Sequence, residues 1–314
     1  MRKVKRKLFC LLLMVFLPLC ACGQGASQEA DVSIPLDISL EKSQIFLVEP
    51  FMDRLGIYDL TEMQWEPIVE QDAFFQSFGW GNVYPYIVFG QHFRLFHAGR
   101  IAGSVLEFNY TLEDKQQSLG PFATNGDLFL YIIEQITKDD YTKRVVTISE
   151  TGELELVANL GGMGVMGGTI AGDHLYFPCP VDDTDFYEVW RFDLTKNDPY
   201  QSPELIRDDY TAYRLYQYKG NIVYLDDKNE TLYNDESTIP LGRRVDEIMI
   251  DEEVNVLVMQ YVTQESGMET IFTDISSGQI LGTYPNAINF TREGSVITIY
   301  GNGFIEELNL SQGD

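Results

Sequence analysis

The sequence predicts an all-β fold built of repeated four-stranded sheets, and three observations predict it. A turn followed by a dense β run recurs down the chain at a spacing of roughly 40–48 residues, with one shorter step of about 32. Gly and Asp-Asn turns fall every 8–12 residues, which leaves room only for short strands. No segment of useful length after residue 33 carries the 3.6-residue period of an amphipathic helix.

Taken in order, the runs are Ile45 to Val48, Tyr86 to Phe89, Leu128 to Tyr131, Leu175 to Phe177, Ile222 to Leu225, Val254 to Val258 and Val296 to Tyr300, which makes seven units. Five follow a polar turn, such as Asn125-Gly126-Asp127 or Lys219-Gly220-Asn221. A second strand is expected after each hairpin tip, at Leu55 to Leu60, Val105 to Tyr110, Arg144 to Ser149, Glu188 to Leu194 and Thr270 to Ile275. A weaker strand follows another turn, as at Leu154 to Val157 and Ile280 to Tyr284. A repeat of about 40 residues with four antiparallel strands is the blade of a β-propeller. Each small sheet has two apolar faces and covers them by stacking on its neighbours. That explains both the continuous apolar runs and an aromatic content of 13%. The expected architecture is therefore a seven-bladed β-propeller over residues 34–314. Its last unit, about Ala287 to Leu310, stops after a third strand. The spare run Ile34 to Leu40 is expected to supply the missing outer strand and close the ring, because a bare edge invites aggregation.

The first residues carry a different signal. Arg2, Lys3, Lys5, Arg6 and Lys7 precede an apolar run, Leu8 to Leu19, of only 12 residues, which is the form of a secretory signal peptide. A spanning helix takes about 20. The run ends in Leu19-Cys20-Ala21-Cys22, which resembles the bacterial lipobox, with its small residue directly before the acylated cysteine. Cys20 competes as the modified residue, but bulky Leu19 precedes it, so Cys22 is favoured. Ordinary secretion with cleavage near Ala21 or Ala26, or an uncleaved anchor, stays open. Residues 1–21 are thus read as the signal and 22–33 as a small, polar, flexible tether. The combination resembles the lipid-anchored β-propeller lipoproteins of bacteria: the lipobox carries one half of the resemblance and the repeat pattern of 34–311 the other. The resemblance implies a domain exported and held outside the cytoplasmic membrane by lipid. No Trp-Asp blade end, double-Gly kelch pattern or sialidase Asp box narrows it further.

Charge excludes some partners. Loss of the signal leaves 17 Lys plus Arg against 48 Asp plus Glu, a formal charge of −31, so nucleic acid and anionic headgroups are repelled. After processing, Cys179 is the one remaining thiol; no disulfide is possible, and a small buried filler is the expected role.

Catalytic chemistry finds little support. His92 and His97 are five apart in a strand region and aim at opposite faces, so they make a poor metal site, and His174 is expected exposed in a turn. No Gly-x-Ser-x-Gly elbow, His-Glu-x-x-His helix or phosphate loop is present. The Gly-rich Leu160 to Gly168 has no Lys and no following helix, so it reads as a flexible link between the third and fourth blades. Asp182-Asp183-Thr184-Asp185 reads as a hairpin tip and not a calcium loop. No metal or cofactor is expected. The strongest binding signal is Phe74 to Tyr86, where Phe78, Trp80 and Tyr84 crowd a Gly-containing loop and Arg94 and Arg100 follow. Aromatics on a loop can stack on a sugar or anchor a peptide. The leading expectation is a non-catalytic, membrane-tethered binder of a protein, peptide or glycan. Its rival is an extracellular polysaccharide hydrolase or lyase that points Asp226, Asp227 or Glu134 into a central channel.

Overall fold

The computed structural model describes residues 43–49, 54–67, 74–76, 86–89, 92–98, 105–111 and 117–310, apart from 126–127, 137–140, 150–152, 166, 212–213, 227, 229, 235 and 264–266. For 74–111 it describes the backbone only. Every regular element among these residues is a β-strand, and they form seven antiparallel sheets.

Sheet 1 is β1 (Gln44–Glu49), β2 (Arg54–Asp59) and β3 (Gln64–Pro67). Sheet 2 is β4 (Phe74–Gln76), β5 (Tyr86–Phe89), β6 (His92–Ala98) and β7 (Val105–Thr111). Sheet 3 is β8 (Gln117–Thr124), β9 (Phe129–Ile136), β10 (Tyr141–Ile148) and β11 (Leu154–Gly161). Sheet 4 is β12 (Thr169–Ala171), β13 (His174–Pro180), β14 (Tyr187–Asp193) and β15 (Glu204–Tyr210). Sheet 5 is β16 (Leu215–Tyr218), β17 (Asn221–Leu225), β18 (Thr231–Tyr233) and β19 (Thr238–Pro240). Sheet 6 is β20 (Glu247–Asp251), β21 (Val256–Thr263), β22 (Gly267–Asp274) and β23 (Ile280–Pro285). Sheet 7 is β24 (Ala287–Glu293), β25 (Val296–Gly301) and β26 (Phe304–Asn309).

Within each sheet the strands pair in chain order, and the first strands of neighbouring sheets stand side by side: β8 beside β12, β12 beside β16, β16 beside β20, and β24 beside β1. Single strands bury both faces, as the continuous apolar runs require. On β21, Val256 and Val258 pack toward sheet 7, whereas Leu257 and Met259 pack toward sheet 5. On β25, Ile297 and Ile299 join the cluster shared with sheet 6, and Tyr300 joins the one shared with sheet 1. Each fully buried side chain of this size stabilises by about 1.5–3 kcal/mol.

The last and first sheets are joined directly. Tyr58 donates its hydroxyl to the carbonyl of Gly301 (2.7 Å), the Gly303 amide donates to Met63 (2.7 Å), and the rings of Tyr58 and Tyr300 meet edge to face at 5.3 Å. Burial, with the Tyr300 phenol beside it, pushes the Tyr58 phenol up to about 12.

Two ends of the array can be distinguished. At the upper end the second and third strands of a sheet are joined, as at 181–186, 226–230 and 302–303. At the lower end the first and second strands are joined, as at 172–173, 219–220, 252–255 and 294–295. Neighbouring sheets are linked at matching ends. At the upper end the Thr169 hydroxyl donates to the Leu215 carbonyl (2.7 Å). At the lower end Arg292 reaches Asp251 (2.6 Å) and Glu253.

The structure corrects three expectations of detail. Ile45 to Val48 lies in the first strand of its sheet, whereas the other six runs fall on second strands. Val105 to Tyr110 is a fourth strand, because β6 intervenes. His174 opens β13 half-buried, 6.1 Å from the Tyr176 ring, and is not an exposed turn residue. Ile34 to Leu40 lies outside the described residues.

Candidate functional site

Of the residues nominated for binding, Phe78, Trp80, Tyr84 and Arg100 lie outside the described residues, as does Cys22. The backbone of Arg94 sits in β6, paired with Ile87 and Asn109. His92 and His97 share that strand, opposite Thr111 and Leu106.

The carboxylates nominated for hydrolysis are held apart. Glu134 is on β9 of sheet 3 and binds the Lys143 ammonium at 2.7 Å. Asp226 follows β17 of sheet 5, and its carboxylate accepts from the amides of Glu230 (2.7 Å) and Thr231 (3.1 Å). Asp227 lies outside the described residues. Each described carboxylate is thus engaged in holding its own sheet. The tip at 181–186 is a hairpin, closed by the Val181 amide on the Phe186 carbonyl (3.0 Å) and the Thr184 hydroxyl on Val181 (3.0 Å). Among the described residues no group of three or more His, Cys, Asp or Glu could hold a metal.

The Gly-rich connection is packed, contrary to the expected flexible link. Val165 is buried, and its carbonyl accepts from Lys143 Nζ at 2.9 Å. Gly168 sits where a Cβ would come 2.9 Å from the Phe122 ring, and its amide donates to the Phe122 carbonyl. Lys143 itself is 5% exposed. Burial works against its charge, but hydrogen bonds to Glu134 and Tyr141 outweigh that and hold its pKa above the usual lysine value. Nearby Cys179 has its thiol pushed up to about 12 by burial, with Glu188 adding to the effect, so it is an inert filler as the sequence suggested.

A second polar cluster was not foreseen. Between sheets 4 and 5, Tyr176, Tyr187, Tyr210, Tyr224 and Tyr233 surround Val189 and Leu215. The Arg207 guanidinium lies 5.0 Å from the Tyr224 ring and 5.7 Å from that of Tyr233, and pairs with Asp209 at 2.6 Å. Tyr210 donates to the Arg214 carbonyl (2.6 Å) and accepts from the Leu225 amide (3.0 Å), and burial raises its phenol well above the usual range. These tyrosines are spread over five strands, so only the pairing of sheets brings them together.

At the upper, inner end of sheets 5 and 6, two arginines are fixed by carboxylates. Arg214 pairs with Glu247 and reaches the Asp246 carbonyl at 3.4 Å. Arg243 pairs with Glu269 at 3.3 Å and stacks 4.3 Å from the Tyr261 ring. This end therefore carries arginines paired with carboxylates, and Phe186 is exposed in the upper hairpin of sheet 4.

No family model and no curated protein matches the chain. Solved structures do. Puromycin hydrolase, in an S511A mutant complexed with PGG, aligns at a TM-score of 0.55 and 9% identity over 86% of this chain and 51% of that one. The chain thus spans about half the length of that protein. TolB from Acinetobacter baumannii aligns at 0.41 and 12% identity over 83% and 77% of the two chains. Apo AztD from Citrobacter koseri aligns at 0.45 and 11% over 85% and 91%. At these identities the likeness is one of fold: an all-β, propeller-like repeat.

Proposed function

We propose that this chain is an exported, lipid-anchored binding protein: a seven-bladed β-propeller closed by Ile34 to Leu40, tethered through Cys22, that recognises a protein, peptide or glycan with one end of its ring. The observation that carries the reading is the meeting of sheets 7 and 1 through Tyr58 and Met63, which is what a closed ring of seven two-faced sheets requires. The lipobox-like Leu19-Cys20-Ala21-Cys22 supports the tether. Two acyl chains suffice for stable anchoring. The structural engagement of Glu134 and Asp226 favours recognition over hydrolysis.

Fractionation of cells expressing the full chain and Cys22→Ala tests the tether. The parent protein is expected in the membrane pellet and the variant in the medium. Equal retention of both would remove the lipid anchor from the account. Cross-linking of the anchored protein in intact cells is then expected to yield one recurrent partner, whereas release of reducing sugar from envelope polysaccharide would favour the hydrolase.

A further inference from the structure

Two Asn-Gly pairs occur in the chain, Asn125-Gly126 and Asn302-Gly303. Such a pair can react with itself. The glycine nitrogen attacks the carbonyl carbon of the asparagine side chain, and the lack of a Cβ on glycine leaves that approach open. At 302–303 both residues are exposed, so water reaches them, and Gly303 holds φ near +86° with open space where a Cβ would stand. Both reacting groups are nevertheless held by sheet 1. Asn302 Oδ1 accepts from the Trp65 amide (3.3 Å), and the Gly303 amide donates to the Met63 carbonyl (2.7 Å). Tyr58 fixes the flanks of the same turn, its hydroxyl donating to the carbonyls of Gly301 (2.7 Å) and Phe304 (2.9 Å). The proton that the Gly303 nitrogen must lose before it attacks is therefore the one that Met63 binds.

We infer that Asn302 is a site of spontaneous deamidation, gated by the contact between sheets 7 and 1. The inference rests on that contact and not on the tether or the partner. While the contact holds, the nucleophile is engaged and the reaction is slow. When it opens, the Gly303 nitrogen gives its proton to solvent and bonds to Asn302 Cγ, and the side-chain nitrogen leaves as ammonia. Water then opens the resulting succinimide at either carbonyl, giving aspartate or isoaspartate. One water is consumed and one ammonia released, and nothing is oxidised or reduced. The isoaspartate linkage adds a backbone carbon to a two-residue turn, which moves the Gly303 amide away from Met63. Each conversion also adds a negative charge to a chain whose formal charge is already −26. The junction thus records its own openings as a one-way change that weakens it.

The test ages the full chain in mildly alkaline buffer and reads conversion at each Asn-Gly pair by peptide mass spectrometry and isoaspartate content. Asn302 is expected to convert more slowly in the native protein than in urea, where no junction exists. Tyr58→Phe removes the hydroxyl from the turn and should speed conversion of Asn302 by about two- to tenfold, the extra opening expected for one lost hydrogen bond. Asn125, whose Oδ1 accepts from the Leu128 amide within its own turn, is the internal comparison, and its rate should be the same in variant and parent. A variant whose Asn125 rate also rises has lost its fold, and the native-to-urea comparison of the parent then decides alone. Conversion of Asn302 as fast in the native protein as in urea, or an unchanged rate in folded Tyr58→Phe, overturns the gate. The aged protein should also unfold at a lower urea concentration than the fresh protein, and an unchanged midpoint would overturn the claim that conversion weakens the junction.

Discussion

The two flanks of sheet 4 are built from different chemistry. Toward sheet 3 the contact is aliphatic and phenyl, with Phe122, Leu130, Val145, Ile170, Leu175 and Phe177 in one cluster, and Lys143, paired with Glu134, reaches Val165 of the Gly-rich connection. Toward sheet 5 the contact is made of tyrosines whose hydroxyls and ring faces serve as partners for backbone groups and Arg207. The first flank is held by area and shape, and the second by placed hydrogen bonds. Truncation should therefore be expensive on one side, and loss of a single hydroxyl should be felt on the other.

The largest expected effect is on the aliphatic side. Phe177→Ala removes a fully buried ring from the centre of the cluster and should cost about 3–5 kcal/mol, read as a lower urea midpoint at unchanged slope. On the tyrosine side, Tyr210→Phe keeps the ring but strands the Leu225 amide and the Arg214 carbonyl, for a loss of about 1–3 kcal/mol. If Tyr210→Phe is neutral, the contrast between the flanks fails.

Lys143 sharpens the comparison, because it places charge inside the aliphatic flank. Glu134→Gln leaves a buried ammonium without its counter-ion and should destabilise by about 1–3 kcal/mol. The pair variant Lys143→Met with Glu134→Met removes both charges together and should cost less than Glu134→Gln alone. A pair variant that costs more than the Gln variant would show that the bond to Val165, and not the burial of charge, is what matters there.

The smallest effect concerns the turns. Asp193 accepts from the Thr195 hydroxyl (2.6 Å) and amide (3.0 Å), and these bonds, with Lys196 nearby, lower its pKa to about 2. An ordinary aspartate titrates near 3.9. The bound carboxylate therefore contributes above about pH 4, and that contribution is lost as pH falls through about 2. Asp59 and Asp274 are lowered in the same way by turn amides and hydroxyls. Thermal midpoints between pH 5 and pH 2 should fall less steeply for Asp193→Asn than for the parent.

These turns also show what was legible in the sequence. The runs that became β9, β13, β17, β21 and β25 could be read because strands buried on both faces are continuously apolar. The ends of third strands carry a further signal that went unread: Ser149, Asp193, Asn234 and Asp274 each cap the turn that follows. Short polar residues that accept from amides two to four positions on are turn formers, and their recurrence marks the register of each sheet. With that register, Val105 to Tyr110 would have been placed fourth and not second. The tyrosine cluster and the Lys143 clasp were not legible, because their members lie on different sheets and carry no spacing of their own. The aromatic stretch around Trp80 was conspicuous in sequence, and the described residues do not reach it.

The central claim is that the first and last sheets meet, and one amide reports it. Gly303 sits in an exposed two-residue turn, with φ near +86°, and its amide donates across the junction to Met63 of sheet 1. In an isolated hairpin such a turn amide would exchange with solvent at close to its free rate. Native-state hydrogen exchange should find Gly303 protected to the same degree as the strand amides of β25. Exchange at the free rate, with β25 still protected, would mean that sheet 7 ends the array without a neighbour and that the ring is open.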